Sequence, residues 1–590
     1  MRKITFLLAL ALMCNVSAFS TRYLVQLGTT GAAEWTATTG GTVVDLTTEG
    51  KTLNAWLNTM NGTLVDGDEV WVVAGTYVVS AVYNVPEGGL AIYGGFAGTE
   101  TTLAERAKGT NPWDFTNETI IDGNNAVAIF GSSGGNRKAI YDGLTLTKAV
   151  NSGNNGGAIL TRCNDGANAI RNCKFISNTA GQGGAVFMWG GSEISDSYFY
   201  GNSGTTHGGG IFINNSAGGS ANVSNCLFDS NTTVGQGGAI RSQSPSISTI
   251  DNCIFKNNSA DNNGSAAYIA LTATANTTTI SNCLMYNNTT KGALYLIGGT
   301  LYNCTVISSV AGAYIASATI PTKIYNSVFW GPTTGAGGIT TPANNTTAVV
   351  QNCAYTSIQT ANFITGSTLS NNIVLSLTNN GTDKPAPYFT NPATNDWTVT
   401  YQSSLLNAAG AIAGSPTTDL TGIARPQGGA ADIGAYELPY YAITVTPGTN
   451  GSVTGYAASE PKGKSIAYTI TPESDYVIDQ VTYNGEDVTS SVADGVYTAA
   501  PLSVAATLDV TFKENTGTGL NTPKQSFQYV VKNNTLEVSG VPAGEVLTVY
   551  SVAGAKVAEQ IISNGVCSVD LNSGIYVIRV ANQVKKVVVK

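Results

Sequence analysis

The chain has 590 residues, only 11% of them charged, and a net charge of −9. That charge, with no basic stripe to neutralise phosphates, excludes a nucleic-acid partner, and the length is enough for several domains. Glycine is abundant at 68 residues, yet 42% hydrophobic residues argue for ordered β structure over disorder.

At the start, Arg2 and Lys3 precede an apolar run over 4–13, and Val16, Ser17 and Ala18 supply small residues for cleavage. The pattern predicts a cleaved secretory signal over 1–18, since the run is too short to span a bilayer. Met13 is a poor neighbour for a lipidated Cys14. No later segment has the length and apolarity of a transmembrane helix, so export is complete or anchoring comes from elsewhere.

Residues 22–438 carry the marks of a right-handed parallel β-helix. Segments 71–77, 92–96 and 120–123 are spaced like its opening strands, and 141–146 leads into a clear repeat. Asn172-Cys173-Lys174-Phe175 recurs as Asn225-Cys226-Leu227-Phe228 and Asn252-Cys253-Ile254-Phe255. Weaker copies place Ser197, Cys283, Cys304, Ser327 and Cys353 at the cysteine position, so successive copies are 24, 29, 27, 30, 21, 23 and 26 residues apart. No amphipathic helical run lies between copies, and short β segments with Gly, Asn and Ser turns fit instead.

The register predicts the interior. An apolar residue stands two positions before each Asn (Ile170, Ile194, Val223, Ile250, Ile280, Leu301, Ile324, Val350). Cysteine and phenylalanine share a parity and point to one strand face, while a bend at Asn turns the earlier residue onto the same interior. Stacked about 4.8 Å apart, equal positions form aliphatic, Cys/Ser and aromatic columns. Asn at the bend tolerates left-handed backbone angles and can bond to the next rung.

A second motif follows in each rung: Gly156-Gly157-Ala158-Ile159, Gly183-Gly184-Ala185-Val186, Gly208-Gly209-Gly210-Ile211 and Gly237-Gly238-Ala239-Ile240, with a decayed copy at 264–267. Small residues there permit tight turns and close backbone packing. With Phe175-x-x-Asn178, Phe199-x-x-Asn202, Phe228-x-x-Asn231 and Phe255-x-x-Asn258, these motifs resemble the paired repeats of chlamydial polymorphic outer membrane proteins. That resemblance covers about 150–310 and implies a surface β-helical adhesin, more by fold than by function. Further on, Asp419, Gly422, Arg425-Pro426 and Asp432-Ile433-Gly434-Ala435-Tyr436-Glu437 resemble the end of exported Bacteroidetes β-helix proteins of the choice-of-anchor type. This stretch is expected to close the solenoid end.

Residues 441–513 read as alternating strands of a small antiparallel domain and resemble internalin-B-repeat-like modules. A Gly/Thr/Asn/Pro linker over 514–525 follows. The last stretch, 526–590, has a strand, a turn at Gly554 and a strand, then Leu571, Gly574 and Tyr576, and ends with Lys585, Lys586 and three valines before Lys590. This spacing resembles the type A C-terminal sorting domain of the Bacteroidetes type IX secretion system, although Ala553 stands where Asn or Asp is common. The resemblance implies the type IX machinery as partner, and surface lipopolysaccharide as anchor or else release of the cargo. A plain Ig-like β domain is the alternative.

Catalysis needs its own residues. A hydrolase wants two carboxylates on one groove, and a lyase wants a base with a cation. Between 150 and 310 the acids are Asp165, Glu193, Asp196, Asp229, Asp251 and Asp261, and those in the repeat fall in different columns. Asp229 and Lys256 share a column one rung apart, as expected for a surface ion pair. His207, the one histidine, is expected as a solvent-facing turn residue. No metal-ligand spacing appears, and no cofactor is implied. The column cysteines are expected as buried thiols rather than disulfides.

The sequence therefore predicts an all-β chain: a right-handed parallel β-helix followed by two small antiparallel β-sandwich-like domains. The expected role is a non-enzymatic cell-surface or secreted adhesin binding host or dietary glycans, located on the outer face of the outer membrane or outside the cell. A secreted polysaccharide lyase or glycoside hydrolase on the same scaffold is the alternative.

Overall fold

The computed structural model describes residues 21–516 and 527–590, apart from 28–34, 36–40, 87–88, 133, 135–136, 215–218, 244–247, 274–276, 317–318, 334–336, 342–346, 359–366 and 582. The signal expected over 1–18, most of the linker expected over 514–525 and the side chain of Asp165 lie outside the described residues.

Short strands separated by turn residues stack into parallel sheets of 22, 12 and 5 strands, which makes the main body a parallel β-helix. The register is the one the repeat predicts. Phe175 lies beside Phe199, then Phe228, Phe255, Met285, Val306, Phe329 and Tyr355 in successive strands of the 12-strand sheet. Neighbouring rings of the four phenylalanines stack at 4.6, 4.7 and 4.9 Å. The aliphatic column from Ile170 to Val350 is fully buried, as are Cys173, Ser197, Cys226, Cys253, Cys283, Cys304, Ser327 and Cys353. All eight described cysteines are free thiols. Each column Sγ donates to the carbonyl two residues earlier, for example Cys226 to Ser224 at 3.1 Å. Burial pushes the Cys173 and Cys353 thiols up to about 12, so both are protonated and inert.

The bend residues Asn172, Asn225 and Asn252 have φ of +53°, +53° and +50°, and every other copy shares this left-handed geometry. Asn pays little there because its short amide offsets the Cβ crowding. The Phe-x-x-Asn residues form a buried amide ladder. Asn178 donates to Asn202, Asn202 to Asn231, Asn231 to Asn258 and Asn258 to Asn288, at 2.9, 2.9, 3.0 and 2.9 Å. Each amide also donates a second N–H to a carbonyl of the preceding rung, so the turns carry no orphaned donors along the ladder. In the Gly-Gly turns the second glycine allows close approach of the rungs: a Cβ on Gly184 would stand 2.2 Å from the Gly209 carbonyl oxygen of the next rung.

Three features differ from the expectations. Two short helices, Leu46–Glu49 and Leu53–Thr59, bury Leu46, Leu53, Trp56 and Leu57 against the opening rungs, where no helix was expected. They cover apolar residues near the start of the solenoid. Parallel pairing ends with Thr368–Ser370 and Ile373–Val374, and the stretch 419–437, expected to close the solenoid end, lies instead against Asn303 and Thr305. The segment 375–438 runs back as a strap over the outside of the 12-strand sheet, because that sheet's outward residues here are apolar. Finally, the 441–513 module is mixed rather than purely antiparallel: Tyr440–Pro447 pairs parallel with Ala506–Glu514, and its other pairings are antiparallel. The last module, with sheets of three and four strands, is antiparallel throughout and packs around Leu536, Leu547, Val549 and Ile578.

Candidate functional site

Each three-residue strand of the 12-strand sheet turns its middle residue inward, so the two flanking residues face out. The outward pairs are Lys174 and Ile176, Tyr198 and Tyr200, Leu227 and Asp229, Ile254 and Lys256, then Leu284 and Tyr286. Two insertions cover this face at either end and leave its middle open.

The first cover is the segment 97–118. Arg106 anchors it through a buried ion pair with Asp142 at 3.1 Å and a hydrogen bond to the Gly94 carbonyl. Asp114 and Glu118 both lie 3.2 Å from Lys174 Nζ, and Trp113 stacks on Tyr198 at 5.9 Å. Lys108 donates to the bend residue Asn172 at 3.1 Å.

The second cover is the strap. Here the bend asparagines act as hooks: Asn282 donates to the Thr418 carbonyl, Asn303 to Asp432 and Asn326 to Gly410. Trp330 Nε1 donates to the Ser376 carbonyl at 2.9 Å. Phe389, Trp397 and Ile433 of the strap bury Leu284, Ile307, Val328 and Trp330 of the sheet. At the strap's margin Trp397 lies 6.3 Å from Tyr286.

Between the covers the bend residues hold no insertion among the described residues. Asn225 instead donates to Asp196 of the neighbouring rung at 3.2 Å, as the sequence leads one to expect. The result is a window over the rungs at 198–200, 227–229 and 254–256, with Tyr200 42% exposed. Tyr200 and Tyr286 stand three rungs apart in one column, a separation of about 14 Å. The Asp229–Lys256 ion pair expected from the sequence crosses the floor at 3.2 Å. Asp229 also accepts from Ser230 and Asn257, at 2.8 and 2.9 Å.

The strap is locked by one guanidinium among three buried carboxylates. Arg425 pairs with Glu437 at 3.0 Å and donates to the Asp432 and Gly434 carbonyls. Burial, reinforced by Glu437, pushes the Asp432 carboxyl up to about 7 from 3.8, against two backbone N–H donors and Arg425. A carboxyl raised on folding holds its proton more tightly in the folded state. Its contribution is full below the unfolded value and is lost as pH rises through about 7. Hydrogen exchange of 405–438, corrected for intrinsic rates, is therefore expected to show stronger protection at about pH 5 than at about pH 8. Equal protection at the two values would contradict this assignment.

His207 corrects its expectation. It ends the strand Ser203–His207, half-buried, with Nδ1 accepting from the Gln236 N–H at 3.4 Å. Burial and the nearby Arg241 guanidinium push its pKa down to about 4, so it is neutral near pH 7. It lies off the window. The repeat residues Asn172, Cys173, Phe175, Asn225, Cys226, Phe228, Asn252, Cys253 and Phe255 build the scaffold beneath the window. The sorting-motif residues lie together in the last module. Gly554 makes a turn at φ +82°, Leu571 is buried, and Gly574 opens the strand Gly574–Val580. Tyr576 donates to the Asn572 carbonyl, Lys585 donates to the Phe527 carbonyl, and Lys586 lies opposite Val577. Among the described residues no group of three or more His, Cys, Asp or Glu could hold a metal ion, and no helix is long and apolar enough to cross a membrane.

The sequence did not point to Trp113, Tyr200, Tyr286 or Trp397. Tyr198 and Tyr200 could have been found by alternation about Phe199, but the covers could not.

Fold and window together define a parallel β-helix protein with an uncovered, aromatic-flanked sheet face. No family model matches the chain, and no curated protein matches it. Among solved structures, the crystal structure of pectate lyase Pel9A is similar, with 11% sequence identity and a TM-score of 0.36 over 71% of this chain and 97% of that chain.

Proposed function

We propose that this chain is an exported, non-enzymatic surface protein that binds glycan across the window between the two covers. The observation that carries this reading is the open sheet face bordered by Trp113, Tyr198, Tyr200 and Tyr286. Tyrosine and tryptophan offer apolar ring faces for sugar C–H groups and polar tips for hydroxyls. Turnover is disfavoured because the one carboxylate on the window floor, Asp229, is engaged by Lys256, Ser230 and Asn257, and Asp114 and Glu118 at its margin are both held by Lys174. Hydrolysis by the usual route needs a second carboxyl facing it. A glycan array probed with the mature chain, with turnover assays in parallel, is expected to give binding without cleavage; release of sugar products would overturn the non-enzymatic reading.

The export route belongs to the same proposal. Residues 526–590 have their own core and the spacing that resembles a type IX sorting domain, which supports a role as an address on the outer-membrane pathway. Surface lipopolysaccharide is the anchor that this resemblance implies, and host or dietary glycans are the ligands that a surface location would meet. Deleting 526–590 is expected to leave the protein in the periplasm, read by fractionation and surface labelling. Surface display of the truncated chain would refute the route.

A further inference from the structure

We infer that the window takes a neutral oligosaccharide segment and not an acidic one, an inference that rests on the glycan-binding reading above. Both ammonium groups on the sheet face are already engaged, Lys256 with Asp229 and Lys174 with Asp114 and Glu118, while Lys108 at the bend edge donates to Asn172 and lies against the Phe115 ring. The bend edge adds Asp196 and Asp251, whose carboxylates accept from Asn225 and Ser281 rather than from a cation. A uronate or sulfate group entering here would face an excess of carboxylates, and on the sheet face it would have to break an ion pair to find a cation. Such a group is recognised elsewhere by uncompensated Arg or Lys, commonly through two parallel N–H donors. A neutral sugar ring pays neither cost. It lays C–H groups on the exposed Tyr200 ring and exchanges hydroxyl hydrogen bonds with the flanking phenols and amides. The span from Tyr200 to Tyr286 suits a short segment, with a ring platform near each end.

The test titrates the mature full chain by calorimetry with hexasaccharides of glucose, xylose and mannose, and with hexagalacturonate, at low and high salt. A neutral hexasaccharide is expected to bind with an affinity that salt leaves unchanged, since no ion pair forms. Tyr200→Ala, at an exposed position, is expected to weaken it about tenfold, the loss of one stacking platform. Asp229→Asn, which releases Lys256, is expected to admit hexagalacturonate in a salt-sensitive manner. If the native chain prefers hexagalacturonate and Tyr200→Ala weakens it, the neutral-ligand inference falls while the glycan-binding window stands. If no sugar binds, or binding is indifferent to both Tyr200→Ala and Trp113→Ala, the window reading and this inference fall together.

Discussion

Replacing Arg425 by methionine is expected to free the strap from the helix, at a cost of about 3–5 kcal/mol. Arg425 and Glu437 are each almost fully buried, at 2% and 1% side-chain exposure. Methionine keeps most of the volume and removes the charge. Glu437, Asp432 and Asp419 would then stand buried without a counter-ion, and the Asp432 and Gly434 carbonyls would lose donors. Burying an unpaired carboxylate costs far more than the pair itself contributes, so the segment has reason to leave rather than stay. Its departure would uncover Trp330, Val328 and Leu284 and remove the Trp397 wall beside Tyr286. Hydrogen exchange resolved by peptide is the measurement: protection should fall across 405–438 and hold across 170–258. Unchanged protection of the strap would mean that its apolar contacts alone hold it.

Phe228→Ala is expected to destabilise the central rungs by about 3–5 kcal/mol. Phe228 lies between Phe199 and Phe255 at 4.7 and 4.9 Å, with rings nearly parallel. Truncation removes both ring contacts and leaves a cavity that the backbone cannot collapse, because strands above and below are fixed by their own hydrogen bonds. Phe228→Leu, closer in volume, should cost less than about 1.5 kcal/mol. In a solenoid each rung rests on its neighbours, so the loss should be local. Exchange should quicken over 198–200, 227–229 and 254–256 and stay slow in the last two modules. A uniform loss across the chain would argue against rung-by-rung stability.

The structure also assigns two roles to one repeated residue. Asn at the bend was legible as a left-handed position, since its chemistry suits positive φ wherever it occurs. Its side chain was not. Asn225 bonds to the neighbouring rung, whereas Asn282, Asn303 and Asn326 hold the strap, and the repeat reads alike in both cases. His207 shows the same limit: adjacency to a Gly-rich turn suggests exposure, but the rungs on either side half-bury it.

Periodicity alone determined the parallel β-helix, its three interior columns and the Gly-Gly turns, because each follows from local backbone preference and from stacking equal positions. The ion pair of Asp229 with Lys256 followed from the same register. Only the tertiary structure decided which stretch of the outward face stays open. The window exists because 97–118 and 375–438 fold back over the same sheet from opposite ends of the helix and stop three rungs apart. Contacts of that kind, such as Asn282 with Thr418 or Trp330 with Ser376, join residues far apart in the chain. No repeat spacing encodes them.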